Sequence, residues 1–229
     1  MIRCSLRRYL RRKLAIKHAL DKCTAALLLL LFWPLLLLVA LLIKLDGILH
    51  PENAGPVFYR EPRVSQGRVF RIIKFRTVPQ SIIAWVREKP ESRTISQHPQ
   101  QTWAGNLILR WYLDEIPQLV NIARGEMSFV GPRPQLVATY ERLCLEGLPS
   151  QAILRGGLLG IPQACKTIQS FQTEFKKMGK TCQIDQKGWS TLDVLYFDKL
   201  QHESLWGMFF FDFSLIVKGL RTVVAGARS

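Results

Sequence analysis

Two adjacent carboxylates, Asp114 and Glu115, are the leading candidates for catalytic side chains in this sequence. They stand at a predicted helix start, in a chain where 32 lysines and arginines outnumber 17 aspartates and glutamates. A helix N-terminus attracts phosphate, and paired carboxylates bind Mg²⁺. The alternative is structural: Asp114 caps the helix and Glu115 faces the helix dipole. Spacing alone leaves both interpretations open, because adjacent helical residues point in different directions.

Several common catalytic motifs are missing from the sequence. It contains no GxxxxGK[ST] phosphate-binding loop, no GxGxxG fingerprint and no HExxH zinc motif. The five cysteines are scattered without a CxxC pair, which argues against a zinc site or a disulfide framework and favours a reducing cytoplasm. P-loop nucleotide hydrolysis, Rossmann redox chemistry and zinc proteolysis are therefore not expected.

An apolar run of 19 residues, 25–43, predicts a membrane helix that positions the rest of the chain. Pro34 lies near its midpoint, and residues 1–22 carry eight lysines or arginines against one aspartate. Positive flanks favour the cytoplasmic side and proline breaks helices. We therefore expect a re-entrant membrane helix, bent at Pro34, with both flanks in the cytoplasm. A single-pass anchor is the alternative, since spanning helices tolerate proline.

The net charge of +15 indicates the kind of partner. A basic cluster beside an apolar run is typical of binding to anionic lipid headgroups. Nucleic acid is the competing partner, but neither zinc-finger spacing nor an RNP-type aromatic motif occurs. We therefore expect anionic membrane lipids and no nucleic acid as partners.

The predicted fold is α+β and mostly helical. We expect two parts: residues 1–45, the basic N-terminus and re-entrant membrane helix, and residues 46–229, a small cytoplasmic, membrane-associated domain. That domain is expected to hold a short β-hairpin and interfacial amphipathic helices. Its hairpin strands are predicted at residues 57–60 and 69–75, around a loop containing Gly67.

The remaining elements are predicted from turn formers and apolar patterns. Residues 46–56 are predicted as a linker and 79–102 as an irregular polar segment. A helix is expected at 114–123, with Pro117 in its first turn and its end near Gly125. Gly156 and Gly157 are expected in loops between later helices. Residues 205–225 predict an interfacial helix with aromatic residues at headgroup depth, the alternative being an ordinary core helix.

Four motifs occur in order along the chain: GPVFYR at residues 55–60, KFRT at 74–77, LDEIPQLVNI at 113–122 and GEMSFVGPRP at 125–134. Together, behind a basic apolar anchor, they resemble the bacterial sugar transferase family. These proteins are monotopic polyprenyl-phosphate phosphoglycosyl transferases that begin the assembly of surface glycans. The resemblance covers roughly residues 17–225.

The resemblance implies an activity. Such an enzyme moves a sugar phosphate from a UDP-sugar to a polyprenyl phosphate, usually undecaprenyl phosphate, and releases UMP. Initiation of exopolysaccharide, O-antigen or glycoprotein glycan assembly would follow, on the cytoplasmic face of a bacterial inner membrane. A non-catalytic membrane-surface protein that binds lipid or recruits a partner is the alternative, and a homodimer is left open.

The resemblance also implies roles for individual residues. Asp114 is expected to be the nucleophile that forms an aspartyl-phosphosugar intermediate, and Glu115, with Asp114, to bind Mg²⁺. Expected contacts of the phosphates or uridine, including supporting residues, are Lys74, Arg76, Arg110, Arg133, Pro134 and Asp193. Arginine suits this task because its planar guanidinium grips phosphate with two hydrogen bonds.

Overall fold

The computed structural model describes residues 2–88, 98–145, 152, 154–159, 196 and 199–224. Its first element, α1, is a single helix of 48 residues, Ile2–Leu49, about 72 Å long at 1.5 Å per residue. The helix continues through Pro34. The predicted basic helix and membrane helix are therefore one element, and the re-entrant path stays a prediction. Its residues 11–49 are long and apolar enough to cross a membrane.

The predicted linker at residues 46–56 is wrong in its first part, because α1 runs to Leu49 and a 3₁₀ turn follows at Pro51–Asn53. The Asp46 carboxylate holds this end in place. It accepts hydrogen bonds from the Asn53 side chain at 3.1 Å and from the Ala104 backbone N–H at 2.9 Å. The turn-forming residues after the apolar run did not indicate that Asp46 is buried and hydrogen-bonded at the end of the helix.

The predicted β-hairpin is confirmed. Strand β1, Phe58–Ser65, pairs antiparallel with β2, Arg68–Phe75, and places Tyr59 opposite Lys74. Gln66 and Gly67 form the turn with φ of 51° and 70°, which is the conformation of two-residue hairpin turns. Strand β1 is longer than predicted because Glu61, Pro62 and Arg63 interrupt its apolar pattern without ending its pairing.

The expectation of an irregular segment at residues 79–102 is wrong for residues 80–88, whereas residues 98–102 are irregular as expected. Helix α2 occupies Gln80–Glu88, and helix α3, Trp103–Arg110, begins directly after Thr102. The Thr102 side chain accepts a hydrogen bond from the Gly105 N–H at 2.9 Å, which is an ordinary N-cap. The sequence signal for the start of α3 was a threonine directly before an apolar run, within a segment that is otherwise polar.

The predicted helix at residues 114–123 begins later than expected. Leu113–Glu115 is a 3₁₀ turn, and helix α4 spans Gln118–Arg124 with Pro117 as its N-cap. Gly125 ends it with φ of 77°, as predicted for a glycine C-cap. The two acids therefore lie in the turn that precedes the helix rather than in the helix itself.

Strand β3, Met127–Val130, pairs in parallel with strand β4, Gly156–Leu159, and helix α5, Val137–Leu145, lies between them in sequence. The expected loop at Gly156 and Gly157 is thus a strand. A Cβ on Gly157 would lie 2.2 Å from the Gly131 backbone nitrogen. These glycines permit close backbone approach instead of marking a turn.

Helix α6, Leu205–Val224, is the last element of the described chain; the predicted helix is present, and its place at a membrane surface stays a prediction. Met208 and Leu215 are buried in a core cluster, whereas Trp206, Phe210 and Phe213 are exposed. One face is thus a core face, and the other is apolar and solvent-accessible in the isolated chain. The second face is the feature that an interfacial helix requires.

A buried network of charged and polar side chains joins helix α1 to helix α6. Lys17 Nζ of α1 lies 2.9 Å from Asp212 Oδ2 of α6 and 3.3 Å from Asp21 Oδ2. Ser128 of β3 donates to Asp21 at 2.5 Å, and Tyr196 donates to Asp212 at 2.9 Å. This buried network fixes the N-terminal helix against the domain that carries the acidic pair.

Candidate active site

The acidic pair sits in a strained turn between α3 and α4. Tyr112, directly before the turn, has φ of 56°, a left-handed conformation that costs a non-glycine residue roughly 1–3 kcal/mol and is common at functional sites. Asp114 is buried, with 1% of its surface exposed, whereas the Glu115 side chain is 22% exposed. Glu115 therefore faces outward and Asp114 lies beneath it.

Among the described residues, Lys74 is the cation nearest to both acids. Its Nζ donates to Glu115 Oε1 at 2.8 Å and lies 3.8 Å from Asp114 Oδ2. Lys74 comes from β2, whose pairing with β1 and packing against α4 bring it to the turn. The hairpin thus supplies a positive charge that offsets part of the negative charge of the pair.

Arg133 approaches the same carboxylate oxygen as Lys74. Its Nη2 lies 3.7 Å from Glu115 Oε1, and its side chain is partly exposed. The following residue, Pro134, is packed against Gly156, where an added Cβ would lie 2.5 Å from Pro134 Cγ. The loop that presents Arg133 is therefore held by the β3–β4 sheet, and its guanidinium stays accessible.

These side chains line one concave surface, which we call the hairpin pocket. From the sequence-based set it includes Lys74, Glu115, Arg133 and Pro134. Residues that sequence reasoning missed also line it: Tyr59, Glu61, Arg63, Gln118, Gly157 and Leu158. Alternation along β1 would have indicated the first three, had the strand been predicted beyond residue 60.

Arg76 does not belong to the pocket, although the sequence placed it among the phosphate contacts. Its side chain is fully buried and donates to three backbone carbonyls: Pro56 O at 2.7 Å, Asn53 O at 2.7 Å and Val78 O at 3.0 Å. Burial lowers the pKa of its guanidinium from the ordinary value. Arg76 therefore joins the base of the hairpin to the 3₁₀ turn that follows α1.

Of the two other expected contacts, one is not brought to the pocket and the other is not described. Arg110 ends α3 as an exposed side chain and is not among the pocket residues. Asp193 lies outside the described residues, as does most of the chain between residues 160 and 198. The structure thus gathers four of the expected side chains, with Asp114 directly behind them.

The donor set fits Mg²⁺. Within the described residues no group of three or more histidine, cysteine or acidic side chains could hold a metal. Asp114 and Glu115 are the adjacent acids at the pocket, whereas the third acid, Glu61, is paired with Arg63. Mg²⁺ is commonly held by only one or two carboxylates, with phosphate oxygens and water completing its shell. Two carboxylates beside this pocket are therefore sufficient.

Comparison with known proteins places the chain in a family. Residues 12–226 match the family described as bacterial sugar transferase. The chain belongs to the bacterial sugar transferase family. This match to almost the whole sequence confirms the resemblance drawn from the four motifs.

Three relatives illustrate what this bacterial sugar transferase is similar to. It is 43% identical over 124 residues to undecaprenyl-phosphate glucose phosphotransferase of Komagataeibacter xylinus. The matched residues make up 54% of this chain and 22% of that protein. It is 35% identical over 151 residues to UDP-glucose:undecaprenyl-phosphate glucose-1-phosphate transferase of Escherichia coli K12 (65% and 30%). It is 37% identical over 130 residues to exopolysaccharide production protein ExoY of Rhizobium meliloti (52% and 55%). The chain spans less than two thirds of the length of each.

Proposed function

We propose that this sugar transferase moves a sugar phosphate from a UDP-sugar to undecaprenyl phosphate or a similar polyprenyl phosphate, with release of UMP. The observation that carries the proposal is the meeting of Lys74, Glu115 and Arg133 in one pocket above Asp114. Two cations and two acids at one point suit phosphoryl transfer, in which positioning and charge neutralisation supply most of the catalysis. The names of relatives support the same donor and acceptor classes.

In the first step, the Asp114 carboxylate attacks the phosphorus that bears the sugar. The anhydride bond to UMP breaks, and UMP leaves with the bonding electron pair. Asp114 is almost fully buried beneath Lys74 and Glu115, so the donor must first draw Lys74 away. The diphosphate does this because its negative charge competes with the carboxylates for the ammonium.

In the second step, a phosphate oxygen of the polyprenyl phosphate attacks the same phosphorus. The bond between phosphorus and Asp114 breaks, and the carboxylate is regenerated. Both steps exchange one phosphoryl bond for another, so no water and no further energy source is consumed. Lys74 and Arg133 stabilise the charge that develops on the transferred group.

Glu115 and Asp114 are the residues that would hold Mg²⁺ beside the donor. The ion would supply charge neutralisation on the diphosphate oxygens. Chelation by EDTA is expected to abolish UMP release, with recovery on addition of excess Mg²⁺ but not of Ca²⁺, whose larger radius suits a different geometry. Full activity after chelation would contradict this assignment.

The proposed location is the cytoplasmic face of a bacterial inner membrane. Support comes from exposed apolar side chains on α1 and on α6, and from a stripe formed by Trp103 and Leu107 of α3 and by its C-cap, Trp111. Residues three to four apart share one helical face. The basic N-terminus would bind anionic lipids, and a re-entrant α1 would keep both flanks in the cytoplasm. Single cysteines labelled at positions 2 and 48 test this path: labels on opposite sides of the membrane would exclude it.

The activity is tested with the purified chain in nanodiscs, given a UDP-sugar, undecaprenyl phosphate and Mg²⁺. Wild-type protein is expected to release UMP and to transfer radiolabelled sugar phosphate into the lipid phase. Label that stays in the aqueous phase would indicate hydrolysis instead. Unchanged biological function after replacement of both acids, with loss on neutralising residues 1–22, would favour the non-catalytic alternative.

A further inference from the structure

The hairpin pocket extends along β1 beyond the acidic pair. Tyr59, Glu61 and Arg63 alternate along β1 and line the pocket together with Lys74 and Ile72 of β2. In the register Tyr59 lies opposite Lys74 and Glu61 opposite Ile72. Opposed residues share one face of a hairpin, and two residues along a strand span about 7 Å. Glu61 thus lies about 7 Å along the pocket wall from Tyr59, the residue opposite Lys74.

Arg63 holds Glu61 in a defined orientation. The Arg63 Nε donates to Glu61 Oε2 at 2.7 Å, and Nη2 donates to the same oxygen. The remaining Arg63 contact is from Nη1 to the Pro134 carbonyl at 3.5 Å. Both strong bonds end on Oε2, and no donor to Glu61 Oε1 is present within the described part of the chain. The pair is mostly shielded from water, with 11% and 13% of the two side chains exposed.

This arrangement gives the two ends of the pocket opposite preferences. At the Lys74 end, two cations receive the diphosphate. At the Glu61 end, a carboxylate oxygen held by arginine repels phosphate and accepts hydrogen bonds from hydroxyl groups. The group that fits there is uncharged and carries hydroxyls, and a carboxylate acceptor binds such donors more strongly than a neutral acceptor does.

We propose that Glu61 Oε1 accepts a hydrogen bond from a hydroxyl group of the transferred sugar, and that Arg63 is the positioning residue for this contact. This inference rests on the proposed function. The sugar, rather than the ribose, is the fitting group because it is bonded directly to the phosphorus that Asp114 attacks. The ribose lies on the far side of the second phosphate, whereas Glu61 is one step from the lysine that contacts Asp114.

The test compares Glu61→Ala and Glu61→Gln with wild type, using UDP-glucose and UDP-N-acetylgalactosamine, the donors that relatives' names indicate. For the donor that wild type uses, Glu61→Ala is expected to lower kcat/KM roughly ten- to hundredfold, as for loss of a charged hydrogen bond. Glu61→Gln is expected to lose less, since its amide oxygen still accepts. Inhibition by UMP, which lacks the sugar, is expected to stay unchanged.

A deoxy series of the same donor identifies the hydroxyl. One deoxy analogue is expected to cost wild type about the same factor as Glu61→Ala, and to cost Glu61→Ala nothing further, which is the signature of a direct contact in a double-mutant cycle. Arg63→Lys is expected to weaken donor use with UMP inhibition intact. Exposed Glu141→Gln on α5 is the matched control and is expected to change neither quantity.

Three results would overturn the inference. Weaker UMP inhibition in parallel with donor use would assign Glu61 to the ribose. Strictly additive losses across the deoxy series, or unchanged kcat/KM in Glu61→Ala, would remove the contact altogether. Failure of wild type to release UMP from any donor would instead refute the proposed function, and with it the basis of this assignment. Thermal unfolding of each variant shows whether a loss reflects misfolding.

Discussion

Lys74 shares its ammonium between two carboxylates, at 2.8 Å from Glu115 Oε1 and 3.8 Å from Asp114 Oδ2. The nearby cation Arg76 looks equivalent in sequence but bonds only backbone carbonyls among its described partners. In a continuous strand, two residues that are two positions apart would share a face. Strand β2 ends at Phe75, before Arg76, so this alternation does not extend from Lys74 to Arg76. At the residue scale, Lys74 contacts the acidic pair, whereas Arg76 holds the backbone together.

Replacement of Asp114 by Asn is expected to reduce UMP release by roughly 10³-fold or more, because the amide cannot act as the nucleophile. Intact-mass spectrometry of wild type with donor alone is expected to show a phosphosugar adduct that is missing from the variant. Glu141→Gln serves as the control for an acid outside the pocket. Full turnover by Asp114→Asn would end the nucleophile assignment.

Arg76→Lys is expected to lower the free energy of unfolding by about 2–3 kcal/mol, because lysine cannot reproduce three fixed hydrogen bonds to carbonyls. KM for the donor should stay constant below the unfolding temperature. Chemical denaturation and steady-state kinetics measure the two quantities, with exposed Arg60→Lys on β1 as the control. A raised KM at unchanged stability would return Arg76 to the substrate contacts.

At the scale of elements, Asn121 joins α4 to the hairpin. It is fully buried, accepts from the Ile73 N–H at 3.0 Å, and donates to Arg71 O at 2.8 Å and Glu126 Oε2 at 2.6 Å. These bonds use backbone groups on the open edge of β2, which would otherwise be buried without partners. Through them α4 and β2 fix the distance between the acidic turn and Lys74.

Asn121→Ala is expected to destabilise the protein by about 3 kcal/mol, because it leaves buried groups on both elements without partners. Donor kcat/KM should also fall, since the acidic turn loses its register with Lys74. The exposed Asn106 of α3 offers the matched control, and Asn106→Ala is expected to change stability by less than about 0.5 kcal/mol. Equal effects of the two variants would refute the assigned role of Asn121 in joining α4 to β2.

At the scale of the whole molecule, α1 is joined to α6 by a buried network of Lys17, Asp21, Ser128, Tyr196 and Asp212. Burial raises the pKa of the Asp212 carboxyl above its ordinary value, and the charge of Lys17 opposes this only in part. Burial and Asp212 also raise the pKa of the Tyr196 hydroxyl. Ionised Asp212 is therefore less favourable in the folded chain than in the unfolded one.

The pH dependence follows from this direction. An acid whose pKa is raised on folding stabilises the fold fully below its unfolded pKa, here 3.8, and loses that contribution as pH rises through the folded value. The stability of wild type relative to Asp212→Asn should therefore increase as pH falls from neutral toward 4. Chemical denaturation in detergent at several pH values measures this difference. A constant or opposite trend would contradict the assigned direction.

The sequence by itself determined the acidic pair, the long apolar helix, the hairpin with its Gly67 turn and the family. These features are local: apolar periodicity, turn chemistry and contiguous motifs are all legible within a short stretch of chain. It also indicated Lys74 and Arg133, but through motif resemblance and not through their surroundings.

Only the tertiary structure decided which side chains share the pocket. It separated Lys74 from Arg76, added Glu61 and Arg63, moved the two acids out of α4, and turned the glycines at 156 and 157 into a strand. Each of these depends on strand register or on contact between residues far apart in the chain. Such pairings are set by the packing of whole elements, and a shift of one residue would turn every side chain of β1 to the other face.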